Sequence, residues 1–169
     1  NKPVMSRGRL IAPSSIESNG WRLYFEYSDD MGKTWQRTDY VEADSITIEG
    51  KKKLKDLAIQ PSIILLKDGR LAALARTRSE HIGITYSEDN GKTWSKLKLI
   101  DTPNNNSGLD AVTLSDGNHV LICNDKPIPN GIKNGKGLRT PLSLMTSSDG
   151  ESWQHWMTLE DSPISQYSY

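Results

Sequence analysis

The sequence predicts an all-β fold made of three repeats of a four-stranded antiparallel unit. The first observation is a stretch at residues 86–94, Tyr-Ser-Glu-Asp-Asn-Gly-Lys-Thr-Trp, that recurs at residues 27–35 and, shortened by one residue, at residues 147–153. The second is its spacing, because the intervals from Trp35 to Trp94 and from Trp94 to Trp153 are both 59 residues. The third is that strand-like segments and turn residues surround each copy, and none has helical periodicity. Such a recurrence indicates one supersecondary unit used three times.

Each copy has the residues of a tight turn between two strands. The Asp carboxylate accepts backbone N–H bonds across the turn, the Gly adopts positive φ, and the hydroxyl residues close further turn bonds. The Trp then offers a large apolar face to a neighbouring sheet. We therefore interpret the repeated residues as structural rather than catalytic. They are Ser28, Asp30, Gly32, Thr34 and Trp35, then Ser87, Asp89, Gly91, Thr93 and Trp94, then Ser147, Asp149, Gly150 and Trp153.

The predicted elements follow in chain order, with each unit's strands labelled A to D and the repeated turn between C and D. The first unit, residues 1–43, has strands predicted at 1–6, 9–16, 21–27 and 36–42. The second, residues 59–101, has strands at 60–66, 70–78, 82–86 and 95–100. The third, residues 108–161, has strands at 109–114, 119–124 and 140–146 and a long loop at 125–138, and residues 162–169 begin a further unit. Turn signals separate the A and B strands, as in Lys67-Asp68-Gly69.

Composition excludes several classes of function. Lys plus Arg and Asp plus Glu number 21 each in 169 residues, so no global field favours nucleic acid or an anionic membrane. No apolar run reaches membrane-spanning length. The single Cys123 lies in an apolar run and predicts a buried thiol without a disulfide. The three histidines are isolated, and we expect neither a metal nor a cofactor. The chain starts without Met and stops at a strand-like segment, so we expect an excised piece of a longer protein.

The candidate site lies at the end of the repeats opposite the repeated turns, where B-to-C and D-to-A connections meet. The contributing segments are Ser14, Ser15 and Glu17, with residues 55–60, 76–81, 104–110 and 124–139. Loops on a rigid sheet are where binding usually lies. The basic run at residues 51–55 is interpreted as a solvated loop, with binding of an anionic chain as the alternative.

Three arginines are candidates for binding a carboxylate. Arg76 and Arg78 end an apolar strand and share one face, so their planar guanidinium groups point to the same side. Arg139 opens a strand after the long loop and is the third cationic candidate. A salt bridge or a solvated strand end is the alternative for each of them.

Two carboxylates and three amides complete the predicted site. Asp110 is the candidate acid/base group, and Asp125 competes for the same role. Asn106, Asn124 and Gln60 are candidates for hydrogen bonds to sugar hydroxyls. Turn or strand-start capping is the alternative for the Asp and Asn residues.

The repeated pattern Ser-x-Asp-x-Gly-x-Thr-Trp resembles the Asp-box of the sialidase (bacterial neuraminidase) repeat families. Six further segments resemble the bacterial sialidase-like subgroup: residues 60–63, 68–71, 106–110, 124–125, 139–142 and 167–169. The resemblance implies a six-bladed β-propeller, of which this chain supplies about three blades. It also implies an arginine cluster for the substrate carboxylate, an Asp acid/base, and a Tyr/Glu nucleophile in retaining glycoside cleavage. Arg76 is the best match to a cluster arginine.

The chain departs from the family pattern at two points. It has no Arg-Ile-Pro motif, since Lys2-Pro3 and Gln60-Pro61 occupy the comparable strand-A positions. The family's Tyr nucleophile belongs to later blades, and Tyr169 is a poor substitute. We therefore expect the isolated chain to be inactive and its parent to act on a carboxylated or another acidic sugar.

Three functions remain open at this point. The first is part of a sialidase-like exo-glycoside hydrolase, secreted or periplasmic by resemblance alone. The second is a non-catalytic propeller that binds a glycan or a protein, and the third is a polysaccharide lyase acting on uronate-containing glycans. Because an open half-ring leaves two outer sheet faces uncovered, we also expect a homodimer or missing blades to complete it.

Overall fold

The computed structural model describes residues 2–43, 58–127, 139–163 and 166–167 of the chain. It confirms the all-β prediction, because the described strands form three separate four-stranded antiparallel sheets. Each sheet is called a blade below. Across these described ranges no helix is long and apolar enough to cross a membrane.

The strands follow one another in space as they do in sequence. Blade 1 comprises β1 (Val4–Ser6), β2 (Arg9–Ile16), β3 (Arg22–Ser28) and β4 (Gln36–Arg37). Blade 2 comprises β5 (Ala58–Leu65), β6 (Leu71–Thr77), β7 (His81–Ser87) and β8 (Lys98–Pro103). Blade 3 comprises β9 (Asp110–Thr113), β10 (His119–Cys123), β11 (Leu142–Ser147) and β12 (Gln154–Glu160).

The repeated turns link the third and fourth strands of every blade. In the second copy, Asp89 accepts hydrogen bonds from the backbone N–H groups of Lys92 and Thr93 and from the Thr93 hydroxyl. The Ser87 hydroxyl accepts from the Gly91 N–H at 2.8 Å. Trp94 Nε1 donates back to the Gly91 carbonyl at 3.2 Å. The same Trp-to-Gly bond recurs at 3.1 Å in the first copy and 3.2 Å in the third.

The Trp residues of the second and third turns pack at junctions between blades. The Trp94 ring stacks on Phe25 of blade 1, with centroids 3.6 Å apart and planes 12° apart. Trp153 packs against the apolar cluster that blades 2 and 3 share, which contains Ile64 and Leu121. Trp35 belongs to the first blade and is 45% exposed. One interblade contact is therefore repeated, and its first instance lacks a preceding blade in this chain.

Blade 2 lies between the other two blades and is buried on both faces. Ala73 and Leu71 face blade 1, whereas Ala72 and Leu74 face blade 3. All four are at most 1% exposed. Small side chains on this strand let both neighbours pack closely, which explains why an Ala-rich segment forms a central strand.

The strand boundaries differ from the predicted ones mainly at the outer strands. Blade 1 was predicted to end in a strand at residues 36–42, but its fourth strand is only Gln36–Arg37. Bonds from Thr38 N to Phe25 O and from Val41 N to Leu23 O continue the contact without a regular ladder. The predictions for residues 51–55, for the loop residues 128–138 and for Tyr169 lie outside the described residues.

Among the described residues, no further blade covers the outer faces of blades 1 and 3. On blade 3 the exposed apolar side chains include Val112, Leu114, Trp156 and Met157. Completion of the ring by further blades or by a second copy therefore stays a prediction.

Candidate functional site

A cleft lies at the end of the blades opposite the repeated turns, and Gln60 and Asp110 are the predicted site residues that line it. It has a volume of about 370 Å³ and lies where the first strands of blades 2 and 3 begin. Apolar walls and a polar end line it: Pro61, Leu109, Ile122, Leu142 and Tyr167, with Lys2, Gln60, Ser62, Gly108 and Asp110. At the other end of the blades, where the repeated turns lie, side chains of one blade contact the next. For example, Arg9 donates to the carbonyl of Asn90 at 3.1 Å.

Arg76 is held beside this cleft by two side-chain amides. Its Nε donates to Asn106 Oδ1 at 2.9 Å, and its Nη1 donates to Gln60 Oε1 at 3.2 Å. Both of these acceptors are amide oxygens, and together they fix the direction of the guanidinium group. The structure thus brings together three residues that the sequence assigned to substrate binding.

The two amide residues are themselves held in uncommon backbone conformations. Gln60 has φ of 56° and Asn106 has φ of 61°, a region that side chains other than Gly rarely adopt. Gln60 lies in a register shift between Ile59 and Ser62, and its N–H donates to Ser15 Oγ at 3.2 Å. Such local strain persists where the surrounding structure determines it, and it is concentrated at functional sites.

Asn106, which accepts a hydrogen bond from Arg76, belongs to a buried polar loop. Asn104, Asn105, Asn106 and Ser107 are each at most 6% exposed. Asn104 Oδ1 accepts the Asn106 N–H at 3.1 Å, and Asn104 Nδ2 donates to the Ser107 carbonyl at 3.1 Å. These two bonds brace the loop, and the Asn104 N–H anchors it to the Glu80 carbonyl, so the Asn106 oxygen is preorganised for the arginine.

Asp110 borders the cleft and is engaged by three partners. Ser62 Oγ donates to its carboxylate at 2.6 Å, Lys2 Nζ at 3.0 Å, and its neighbour's N–H, that of Ala111, at 2.9 Å. Partial burial raises the pKa of Asp110, but the bonds from Ser62 and Lys2 outweigh it and bring the pKa below its usual value. The group is therefore an anion near neutral pH, which suits a base or an ion pair better than an acid.

Asp125 and Asn124 lie in the B-to-C loop of blade 3 and have other partners. Asp125 accepts from Ser143 Oγ at 2.8 Å and lies 3.2 Å from His155 Nδ1 on the outer strand. Asn124 is fully buried, and its Nδ2 donates to the Pro141 carbonyl at 2.7 Å. These contacts give both residues a role in holding the loop.

The other two arginines differ in their surroundings. The Arg78 guanidinium carbon lies 4.0 Å from the ring centroid of Trp21, and that of Arg76 lies 5.2 Å from the same ring. Arg139 precedes the cis peptide bond between Thr140 and Pro141, and its carbonyl accepts the Tyr167 N–H at 3.0 Å. The shared Trp21 therefore relates Arg76 to Arg78 but not to Arg139.

Four residues near the site escaped the sequence-based prediction. Trp21 was assigned only to a strand, Ser62 and Tyr167 appeared only within resembling segments, and Lys2 was named only as a departure from the family pattern. For Lys2 and Tyr167 the signal was weak, because each contacts residues far away in sequence. Trp21 had a usable signal, since a large aromatic residue directly after an Asn-Gly turn at this end faces the incoming loops.

The described residues hold no group of three or more His, Cys, Asp or Glu side chains that is arranged for a metal ion. The sole thiol, Cys123, is fully buried, and burial raises its pKa to about 12.

Comparison with known proteins places this geometry in a family. The model of the BNR repeat-like domain matches residues 1–169, the whole chain. An anhydrosialidase of Macrobdella decora is 35% identical over 135 residues, which cover 76% of this chain but 16% of that protein. A sialidase of Clostridium perfringens is 27% identical, over 69% of this chain and 32% of the relative. The chain therefore spans less than a third of the length of these relatives.

Solved structures agree in fold. The intramolecular trans-sialidase of Ruminococcus gnavus, in complex with oseltamivir carboxylate, superposes with a TM-score of 0.62 at 27% identity, covering 95% of this chain and 32% of that one. The K499G mutant of the NanB sialidase from Streptococcus pneumoniae gives a TM-score of 0.69 at 21% identity, over 99% of this chain and 24% of that one, and shows the fold alone. The architecture is that of a sialidase β-propeller with an open ring, as the Asp-box resemblance predicted. Because the family model spans every residue, the chain belongs to the BNR repeat-like domain family, with sialidases among its relatives.

Proposed function

We propose that this chain is part of a sialidase-like glycoside hydrolase and that its cleft binds the carboxylate of an acidic sugar. The observation that carries the proposal is the orientation of Arg76 by Gln60 and Asn106 beside the cleft. A guanidinium group offers parallel N–H donors that match a carboxylate in two-point contact. The two amide oxygens hold the guanidinium group in one direction, which suits such a two-point contact.

The dimensions of the cleft support a single sugar ring as the ligand. Its volume of about 370 Å³ is at the small end of ligand pockets. Apolar walls from Leu109, Ile122 and Leu142 suit the faces of a pyranose, while Gln60 supplies a polar edge. Arg78 adds a second cation near Arg76, and we propose Arg139 as a third from the neighbouring blade.

The ligands of two relatives support the same sugar class. The leech intramolecular trans-sialidase is complexed with 2,7-anhydro-Neu5Ac prepared by soaking with 3'-sialyllactose, and the Ruminococcus gnavus enzyme is complexed with oseltamivir carboxylate. Both ligands carry a carboxylate, and we propose that the cleft of this chain binds an acidic sugar in the same way.

A second candidate function is glycan binding without cleavage. It is favoured by the state of both candidate acid/base groups, because Asp110 is ion-paired with Lys2 and Asp125 is bonded to Ser143 and His155. Under the first proposal Asp110 or Asp125 must exchange these partners for substrate, with a nucleophile from later blades. Under the second proposal neither needs to move.

The assembly and domain boundaries are part of the proposal. We propose that residues 1–43, 59–101 and 108–161 are successive blades, that residues 162–169 begin a fourth, and that further blades or a second copy complete the ring. The resemblance to sialidases makes secretion or a periplasmic location the expected compartment.

Binding by the purified chain tests the site. We expect N-acetylneuraminate or glucuronate to bind more tightly than neutral glucose in calorimetric titrations. Arg76→Ala should weaken acid binding by about tenfold or more, since a hydrogen-bonded charged contact contributes on the order of 1.5–3 kcal/mol. Arg70→Ala is the matched control, because Arg70 pairs with Asp68 at the opposite end. Equal losses in the two variants, or equal affinity for acidic and neutral sugars, would contradict the proposal.

Activity of the parent protein separates the two functions. Release of an aryl group from an aryl sialoside or aryl uronide supports the hydrolase. Tight binding of acidic sugars without any release supports the binding module. An unsaturated product that absorbs ultraviolet light would instead identify lyase chemistry on a uronate.

A further inference from the structure

We propose that Trp21 is a positioning residue that holds Arg76 and Arg78 in the orientation required for an acidic ligand. This inference rests on the proposed function and adds a residue to it from another blade. Trp21 precedes β3 of blade 1, whereas both arginines lie at the end of β6 or directly after it in blade 2. The site is therefore assembled across the junction between two blades.

The geometry is that of two cations on one indole. The guanidinium carbons of Arg78 and Arg76 lie 4.0 Å and 5.2 Å from the Trp21 ring centroid. Trp21 is only 6% exposed, so the ring is fixed by its surroundings, whereas Arg76 is half-buried and Arg78 is exposed. Among the aromatic side chains, Trp gives the strongest cation–π attraction.

The ring addresses a specific electrostatic problem of this site. Two guanidinium groups on one strand face repel each other, and each has long side-chain freedom to move apart. Attraction of both to the same indole ring offsets that repulsion. Arg78 lies nearer to the ring than Arg76, which also bonds to Gln60 and Asn106. Loss of the ring should therefore displace Arg78.

The competing explanation is that Trp21 only fills space between blades 1 and 2. Trp94 provides the comparison, because it also packs between these blades, through its stack on Phe25, at the opposite end. If Trp21 has a packing role alone, Trp21→Leu and Trp94→Leu should affect the positions of the two arginines equally. If Trp21 positions the arginines, only Trp21→Leu should displace them.

The test uses the Nε–Hε signals of arginine in the 15N-labelled chain, assigned with Arg76→Lys and Arg78→Lys. Protons above an aromatic face are shifted upfield, so Trp21→Leu should move the Arg78 signal downfield and accelerate its exchange with water. Trp21→Phe, which keeps a smaller ring and the fold, should give an intermediate shift. Trp94→Leu should leave the Arg78 signal at its wild-type position. An unchanged Arg78 signal in both Trp21 variants, or an equal shift in Trp94→Leu, would overturn the inference.

Ligand affinity provides the second readout. Trp21→Leu should weaken binding of N-acetylneuraminate by about three- to tenfold, with Trp21→Phe between it and the wild type, in line with the usual strength of such contacts. Failure of the wild-type chain to prefer acidic sugars would refute the proposed function and leave the arginine signals to decide the positioning role. Normal affinity in Trp21→Leu together with displaced arginine signals would refute the link between position and binding.

Discussion

Gly91, the glycine in the second copy of the repeated turn, offers a direct measure of how closely adjacent blades pack. Gly91 has φ of +88°, and a Cβ added to it would lie 2.8 Å from Ile11 Cδ1 of blade 1, with two more Ile11 atoms within 3.3 Å. Ile11 is fully buried and has no room to withdraw. Gly32, at the same turn position in blade 1, has φ of +87°, but its added Cβ meets nothing closer than 3.7 Å.

The contrast allows the magnitude to be worked out for Ala at both positions. The backbone cost of placing an L-residue at positive φ is about 1–2 kcal/mol and is shared by both variants. Overpacking against Ile11 adds about 1–3 kcal/mol in Gly91→Ala alone. We therefore expect Gly32→Ala to lower the free energy of unfolding by about 1–2 kcal/mol and Gly91→Ala by about 2–5 kcal/mol. Gly150→Ala should resemble Gly91→Ala, because its added Cβ would lie 2.8 Å from Leu66 Cδ2.

Equilibrium urea unfolding of the three variants, monitored by tryptophan fluorescence, provides the comparison. The slopes of the unfolding curves must match the wild type for the differences to be differences in stability. Equal losses in Gly32→Ala and Gly91→Ala would show that the turn does not press on the preceding blade, and the account of interblade packing would fail.

Three further outcomes are expected from the same structure. Trp94→Ala should lower the free energy of unfolding by about 3 kcal/mol because its ring is stacked between blades, whereas Trp35→Ala, at a half-exposed site, should cost less than about 1 kcal/mol in the same urea assay. Similar costs would contradict the packing description. Ser62→Ala should raise the pKa of Asp110 toward its ordinary value in an NMR titration, because it removes the 2.6 Å hydrogen bond to the ionised form. An unchanged pKa of Asp110 in this variant would show that Ser62 does not lower it. Hydrogen bonds from Thr34, first its hydroxyl and then its N–H, lower the pKa of Asp30 to about 2, so the stability from this turn should be complete above about pH 4 and be lost as the pH falls through about 2. The stability of Asp30→Asn, measured by urea unfolding between about pH 5 and about pH 2, should depend less on pH than that of the wild type. An identical pH dependence would refute the role of the ionised Asp30 in this turn.

The turns could be predicted from sequence because their chemistry is local. Asp30 and Thr34 are four residues apart, and their hydrogen bonds need no partner from another blade. The equal Trp spacing then defined the unit, so the three-sheet fold followed without tertiary information. The short fourth strand of blade 1 was not foreseen, because its residues still bond to β3 through Thr38 and Val41 without forming a regular ladder.

The site was only partly predictable because its contacts cross between blades. Arg76 could be assigned to the correct end from its place after an apolar strand. Its bonds to Gln60 and Asn106 depend on a register shift and on loop conformation, which no periodicity encodes. The pairing of Lys2 with Asp110 joins residues 108 positions apart and depends on how the first strands of blades 1 and 3 converge.

The central claim is that the end bearing Arg76 binds acidic sugars, while the end bearing the repeated turns is structural. Mapping of 1H–15N shift changes on titration with N-acetylneuraminate, with glucose as the neutral reference, tests this claim most directly. The account predicts saturable changes that centre on Gln60, Arg76 and Asn106 and that are absent with glucose. Changes centred on the turn residues, such as Asp89 and Trp94, or equal changes with glucose, would contradict it.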